Sequence, residues 1–195
     1  MNARALVLAT ATAFFSIVVV WRLSGATPAE ASSSNKSASL DRVARGKYLV
    51  AAMGCGDCHT PMKMGDKGPE PDMARMLSGH PDFMKLPPAP APQGIWGISA
   101  AMTMTAWSGP WGTSFTANLT PDAETGLGKW TEDNFVQTIR NGRHMGVGRP
   151  ILPPMPIPAF MNFSDDDLKS IFAYLKTVPA VKNRVPAPLP PVAVQ

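Results

Sequence analysis

The stretch Cys55-Gly56-Asp57-Cys58-His59 decides how the rest of this 195-residue chain is read. Two thiols three positions apart, followed at once by an imidazole, form the Cys-x-x-Cys-His pattern that attaches a c-type haem. Each thiol can add to one porphyrin vinyl group, and the adjacent histidine then lies under the iron as its proximal ligand. Rival readings fail on counting. A structural zinc site needs four ligands, usually with a second Cys or His pair, and the chain has two cysteines in all. A thioredoxin-like pair belongs beside a strand-helix-strand pattern, which this sequence lacks, and has no need of the histidine. A disulfide across two intervening residues would close a very small loop and stabilise little. The expected cofactor is one haem c, held covalently by Cys55 and Cys58 with His59 on the metal.

Upstream of the motif, Asp41 to Met53 reads as a helix. Leu40, Val43, Tyr48 or Leu49, and Val50 recur at spacings of three and four, and Gly54 stops the run. Gly46 sits mid-helix at a cost of roughly 1 kcal/mol against alanine, which a close helix crossing would repay. Further back, residues 5–21 form an uncharged apolar run between Arg4 and Arg22, the pattern of a secretory signal or a short membrane anchor. The expected division is a signal peptide or anchor over 1–25, a polar linker over 26–39, a haem domain over 40–180 and a Pro-rich tail over 181–195. Cleaved or retained as a tether, the apolar run is expected to export the chain.

Charged residues make up only 16% of the chain, while 21 Pro, 16 Gly and 12 Met point to irregular loops wrapped on an apolar centre. The formal charge of +4 shrinks over residues 40–195, where 15 Lys or Arg face 13 Asp or Glu, leaving +2. No basic cluster is interleaved with aromatics, so no nucleic-acid partner is expected. From Thr60 to Gly112 the sequence reads as a long loop layer, interrupted by the tract Leu86-Pro87-Pro88-Ala89-Pro90-Ala91-Pro92. Trp96, Trp107, Trp111 and Phe115 would give that layer its apolar cover. A carbonyl must accept the second ring N–H of His59, and Pro69 or Pro61 is expected to provide it.

Downstream, Asn118-Leu119-Thr120-Pro121-Asp122 and Gly126-Leu127-Gly128-Lys129 are turn signatures. Thr131 caps a helix running to about Asn141, with Phe135, Val136 and Ile139 on one face and Gly142 as its stop. Ser164, with Asp167 three residues on, opens the last helix as a capping box, and Leu168, Ile171, Phe172 and Leu175 form its apolar face. Between these helices lies the loop Arg143 to Phe163 with Leu152-Pro153-Pro154-Met155-Pro156. Flanking prolines stiffen the backbone around Met155, which makes it the first candidate for the distal thioether ligand. Met161 is second, and His80 and His144 are the alternatives for bis-histidine ligation.

Several blocks together carry a family resemblance. Arg45-Gly46-Lys47-Tyr48-Leu49, the Cys55 to His59 motif with Thr60-Pro61, Asn118 to Asp122 with Thr125-Gly126-Leu127-Gly128, and Pro154-Met155-Pro156 ahead of Ser164-Asp165-Asp166-Asp167-Leu168 resemble class I cytochromes c over roughly residues 42–179. Within that family the chain is similar to the haem domains of cytochrome subunits that serve bacterial membrane-bound alcohol and sugar-acid dehydrogenases. Those cytochromes usually carry several haem motifs; this chain has one, and a long loop from Met62 to Trp111. The resemblance implies Met155 as the distal ligand and, with bacterial relatives of this kind, the periplasm or the periplasmic face of the inner membrane as the expected place of the exported chain. The expected fold is all-α: a cytochrome c-like single-haem domain with a long Pro/Gly/Met-rich loop layer, plus an N-terminal apolar helix. The expected function is electron transfer by Fe(II)/Fe(III) cycling with redox partner proteins, a dehydrogenase, an oxidase or another cytochrome, and no catalytic residues. Two alternatives stand beside it: a cytochrome subunit of a membrane-bound dehydrogenase complex, and a haem enzyme or gas-binding module with an open distal site.

Overall fold

The structure, a computed structural model, describes residues 28–89, 95 and 97–191. Among these residues there are five α-helices: α1 Pro28–Ala52, α2 Cys55–His59, α3 Glu132–Asn141, α4 Ile157–Phe160 and α5 Asp165–Leu175. Two antiparallel sheets accompany them. Strands β1 (Met62–Gly65) and β2 (Gly68–Pro71) form a hairpin, and β3 (Ser99–Ala100), β4 (Ala106–Gly109) and β5 (Gly112–Phe115) lie side by side in chain order.

The expected all-α fold is therefore corrected: the stretch read as a loop layer contains both sheets. The physical reason lies in two tight turns. Asp66-Lys67 joins β1 to β2 and Pro110-Trp111 joins β4 to β5, and each turn is followed by a glycine at positive φ, Gly68 at 115° and Gly112 at 93°. Two-residue connections fix strand register and pair the short runs on either side. Pro69 and Pro71 are tolerated because β2 pairs with β1 alone and so lies at a sheet edge. Residues 90–94 and Trp96 of the expected layer lie outside the described residues.

The expected N-terminal apolar helix is not among the helices described. Residues 5–21 lie outside the described residues, and the first helix described, α1, starts at Pro28 and runs through the stretch read as a polar linker. Among the described residues no helix is long and apolar enough to cross a membrane. Within α1 the packed face is Val43, Gly46, Leu49 and Val50, whereas Leu40 and Tyr48 are exposed. That face crosses α5 at Gly46, where a Cβ would overlap the Ser170 carbonyl oxygen and sit 2.9 Å from Tyr174 Cβ. Only a glycine lets the two backbones approach so closely. Arg45 Nε donates to Asp167 Oδ1 at 2.9 Å beside the crossing.

That ion pair changes the cap expected at Ser164. Ser164 Oγ accepts the Asp167 N–H at 3.1 Å, but the Asp167 carboxylate takes the Arg45 Nε–H and does not close the box on the Ser164 N–H. The reciprocal box occurs on α3, where Asn134 N–H donates to Thr131 Oγ1 and Thr131 N–H to Asn134 Oδ1, both at 3.1 Å. Leu49, Val136, Ile139, Leu168 and Leu175 meet in the core between α1, α3 and α5. Full burial of a leucine such as Leu168 or Leu175, each 1% exposed, stabilises by roughly 1.5–3 kcal/mol.

The Pro-rich tail forms an extended strap as far as Pro191. Leu189 exchanges two backbone hydrogen bonds with Thr113 of β5, at 3.0 and 2.9 Å. Asn183 is fully buried and donates through Nδ2 to the carbonyls of Ser78 and His80, at 2.7 and 2.9 Å, while its Oδ1 accepts the Asp82 N–H.

Candidate functional site

Helix α2 begins one residue after a reversal at Gly54, whose φ of 63° is left-handed. Its far end is pinned from outside the helix: Gly79 N–H donates to the His59 carbonyl at 2.8 Å, and Leu77 N–H donates to Thr60 Oγ1 at 3.1 Å. These bonds hold one short turn of helix with both thiols and the imidazole at the wall of a cavity of about 560 Å³. That volume falls within the roughly 300–1,000 Å³ usual for small-molecule and cofactor sites.

His59 is buried, and its Nδ1 lies 2.8 Å from the Ala117 carbonyl. A carbonyl can only accept, so the proton is on Nδ1 and Nε2 keeps its lone pair. Burial lowers the pKa of His59, with the Ala117 hydrogen bond acting in the opposite direction. Pro69 and Pro61 were the expected acceptors. Pro61 instead takes the Asp72 N–H at 2.8 Å, and Pro69 lies in the β1–β2 hairpin. Ala117 is held by its neighbours: Thr116 N–H donates to the Thr105 carbonyl and Leu119 N–H to the Leu77 carbonyl, both at 2.9 Å. Nothing about an alanine in sequence marks its carbonyl as a partner.

Cys55 and Cys58 are free thiols. Burial pushes Cys55 up to about 11, and burial raises Cys58 too. Met155 lines the same cavity, half-buried between Pro154 and Pro156. Met161 and His80 do not line it. Met161 sits at the end of α4, and its carbonyl accepts from Arg140. His80 is fully buried elsewhere, with Nδ1 3.0 Å from Thr105 Oγ1 and Nε2 donating to the Met84 carbonyl at 3.3 Å. His144 does line the cavity, edge-on to Trp130 with ring centroids 5.0 Å apart.

Leu127, Phe135, Ile139, Phe160, Ile171 and Leu175 make much of the wall apolar, and Arg149 and Arg184 bring cationic groups to it. Of the aromatic cover expected from the loop layer, Phe115 lines the cavity and Trp107 and Trp111 do not; Trp96 lies outside the described residues. Trp130 takes part instead, a residue no motif singled out. The residues fit a porphyrin bearing an iron: two thiols on one helical turn, an imidazole whose tautomer is set by a carbonyl, a thioether, an apolar wall, and two guanidinium groups for acidic substituents. Such a donor set, an imidazole and a thioether beside two thiols, is of the kind that holds a haem iron.

The Cytochrome c family model matches residues 43–179. The chain is 31% identical over 150 residues to the cytochrome c subunit of the alcohol dehydrogenase (quinone) of Gluconobacter oxydans (strain 621H), covering 75% of this chain and 26% of that protein. It is 27% identical over 158 residues to the fructose dehydrogenase cytochrome subunit of Gluconobacter japonicus, covering 78% of this chain and 26% of that one. It is also 30% identical over 132 residues to the gluconate 2-dehydrogenase cytochrome c subunit of Pantoea cypripedii, covering 68% of this chain and 22% of that protein. The chain thus spans about a quarter of the length of these curated relatives.

Proposed function

We propose that this chain, which belongs to the cytochrome c family, carries a single covalently attached haem c and passes electrons between redox proteins. The observation that carries the reading is the convergence of Cys55, Cys58, His59 and Met155 on one largely apolar cavity. In it Cys55 and Cys58 are the attachment thiols, His59 is the proximal ligand and Met155 the distal one. The bound group supplies reversible Fe(II)/Fe(III) chemistry. The chain's own residues set the conditions for it. The Ala117 carbonyl holds the His59 ring and its tautomer, the Met155 thioether favours the reduced state, and the apolar wall keeps water away. No substrate bond is made or broken.

The relatives named as cytochrome subunits of alcohol, fructose and gluconate dehydrogenases support a dehydrogenase as one partner, either in passing contact or as the catalytic subunit of a shared complex. The apolar run at residues 5–21 supports export, with the haem domain in the periplasm or on the periplasmic face of the inner membrane.

Attachment is tested by extracting the denatured protein with acidified acetone. The haem colour is expected to stay with the polypeptide, and Cys58→Ser is expected to leave one thioether or none. Colour that leaves with the solvent refutes the reading.

A further inference from the structure

The segment that presents Met155 is short of ways to be held. Pro153, Pro154, Pro156 and Pro158 have no N–H, so this stretch must be anchored chiefly through its carbonyls. Met155 O accepts the Ile157 N–H at 2.8 Å, a bond within the same loop. Pro156 O accepts from the Ala159 and Phe160 N–H groups of α4, which follows directly in the chain. Among the described hydrogen bonds, the one that ties Leu152–Pro156 to an element distant in sequence runs from Ser114 Oγ to the Pro153 carbonyl at 2.6 Å. Ser114 lies on β5, is buried and lines the same cavity as Met155. A serine hydroxyl has one proton, and the second carbonyl within its reach, that of Trp107, is more distant at 3.3 Å. The strand behind it is secured on its far side by the two backbone bonds between Thr113 and Leu189.

We infer that Ser114 is a positioning residue for the Met155 thioether, acting through the Pro153 carbonyl, and that the β3–β4–β5 sheet is the platform from which the distal loop is held. The inference rests on the reading of Met155 as distal ligand. A thioether is a weak ligand to ferric iron, so its occupancy depends on how little freedom its backbone has when the bond opens. Ser114 removes that freedom two residues upstream of the sulfur.

The test compares the ferric holoproteins of the unmutated chain, Ser114→Ala, Ser114→Thr and Met155→Ala, by the weak near-infrared absorption of sulfur-bound iron, the rate of cyanide binding and the midpoint potential. Loss of one such hydrogen bond is expected to raise the sulfur-off population, and with it the cyanide rate, by roughly two- to tenfold. In Ser114→Ala the near-infrared band is expected to weaken in parallel and the potential to fall, while Ser114→Thr, which keeps the donor, restores all three. An Ala variant with unchanged band, cyanide rate and potential overturns the inference while Met155→Ala still loses the band. A band that survives in Met155→Ala overturns the ligand reading itself, and the inference with it. If Ser114→Ala does not accumulate as a haem protein, Ser114→Val is compared with its shape-matched partner Ser114→Thr. A faster cyanide rate in Val than in Thr supports the role of the hydroxyl, and equal rates refute it.

Discussion

Replacing Gly46 by alanine sets two effects against each other at a single atom. Helix propensity favours alanine by about 0.8–1.0 kcal/mol at an interior position. Against it, the new Cβ would overlap the Ser170 carbonyl oxygen, lie 2.5 Å from the carbonyl carbon and come within 2.9 Å of Tyr174 Cβ, where ordinary contact begins at 3.4 Å. The obstacle is the backbone of α5, which no rotamer change can clear, so α1 and α5 must part by roughly 1 Å. A gap of that size forfeits about a quarter to a half of the dispersion attraction across it. The residues that lose it include Leu49, Val50, Leu168 and Ile171, all core side chains. Overpacking of this kind costs about 1–3 kcal/mol, and a backbone obstacle belongs at the upper end, so a net loss of about 2 kcal/mol remains after the propensity gain. At about 2–4 °C per kcal/mol, the midpoint of thermal unfolding of the oxidised holoprotein is expected to fall by about 4–8 °C, followed by far-ultraviolet circular dichroism. An alanine variant as stable as the parent, or more so, would refute the close crossing as the reason for the glycine.

Met155→Ala is expected to abolish the near-infrared band, lower the potential and open the iron to cyanide and carbon monoxide, and Met161→Ala to do none of these; the reverse pattern would move the ligand to Met161. Asn183→Ala removes the partners of two carbonyls and one N–H in a site with no solvent exposure, a loss of about 2–4 kcal/mol measurable by denaturant unfolding, and a loss below about 1 kcal/mol would contradict its role as the tail's anchor. The Arg45 hydrogen bond holds the Asp167 carboxyl below its ordinary value of 3.8. Its contribution is present above the unfolded-state pKa and is lost as pH falls through the depressed folded value. The stability curves of the parent and Asp167→Asn are therefore expected to differ near neutrality and to converge in acid, and a constant gap down to the lowest pH would show that the carboxylate charge is not what matters.

What could be read without coordinates was whatever depends on local chemistry. The Thr131 cap, Ser164 as the N-cap of α5, the apolar faces of α3 and α5 and the crossing at Gly46 all follow from residue type and spacing, and the structure has each in its expected place, although the box expected at Ser164 is not closed by Asp167. The bounds of α1 are different: it starts at Pro28, in a Ser/Ala-rich stretch that carries no apolar periodicity to mark a helix. The two sheets went unread because proline density outweighed turn chemistry, although Gly65-Asp66-Lys67-Gly68 and Gly109-Pro110-Trp111-Gly112 are both hairpin-length connections. At the cavity, side chains were legible and backbone partners were not. Ala117 and Pro153 act through carbonyls that every residue possesses, and only the pairing of distant segments selects them.

The strap also bears on when the cavity wall is completed during folding. Its hydrogen bonds from Asn118 to Val181 and from Asn183 to Ser78 span 63 and 105 residues, and Arg184, Val185, Pro186 and Pro188 complete the wall around the cavity. Pairings of that sequence separation are slow to form, because a long loop must be closed before they are made. The tail's share of the cavity wall is therefore expected to form late in folding, after the local turn that carries Cys55 and Cys58.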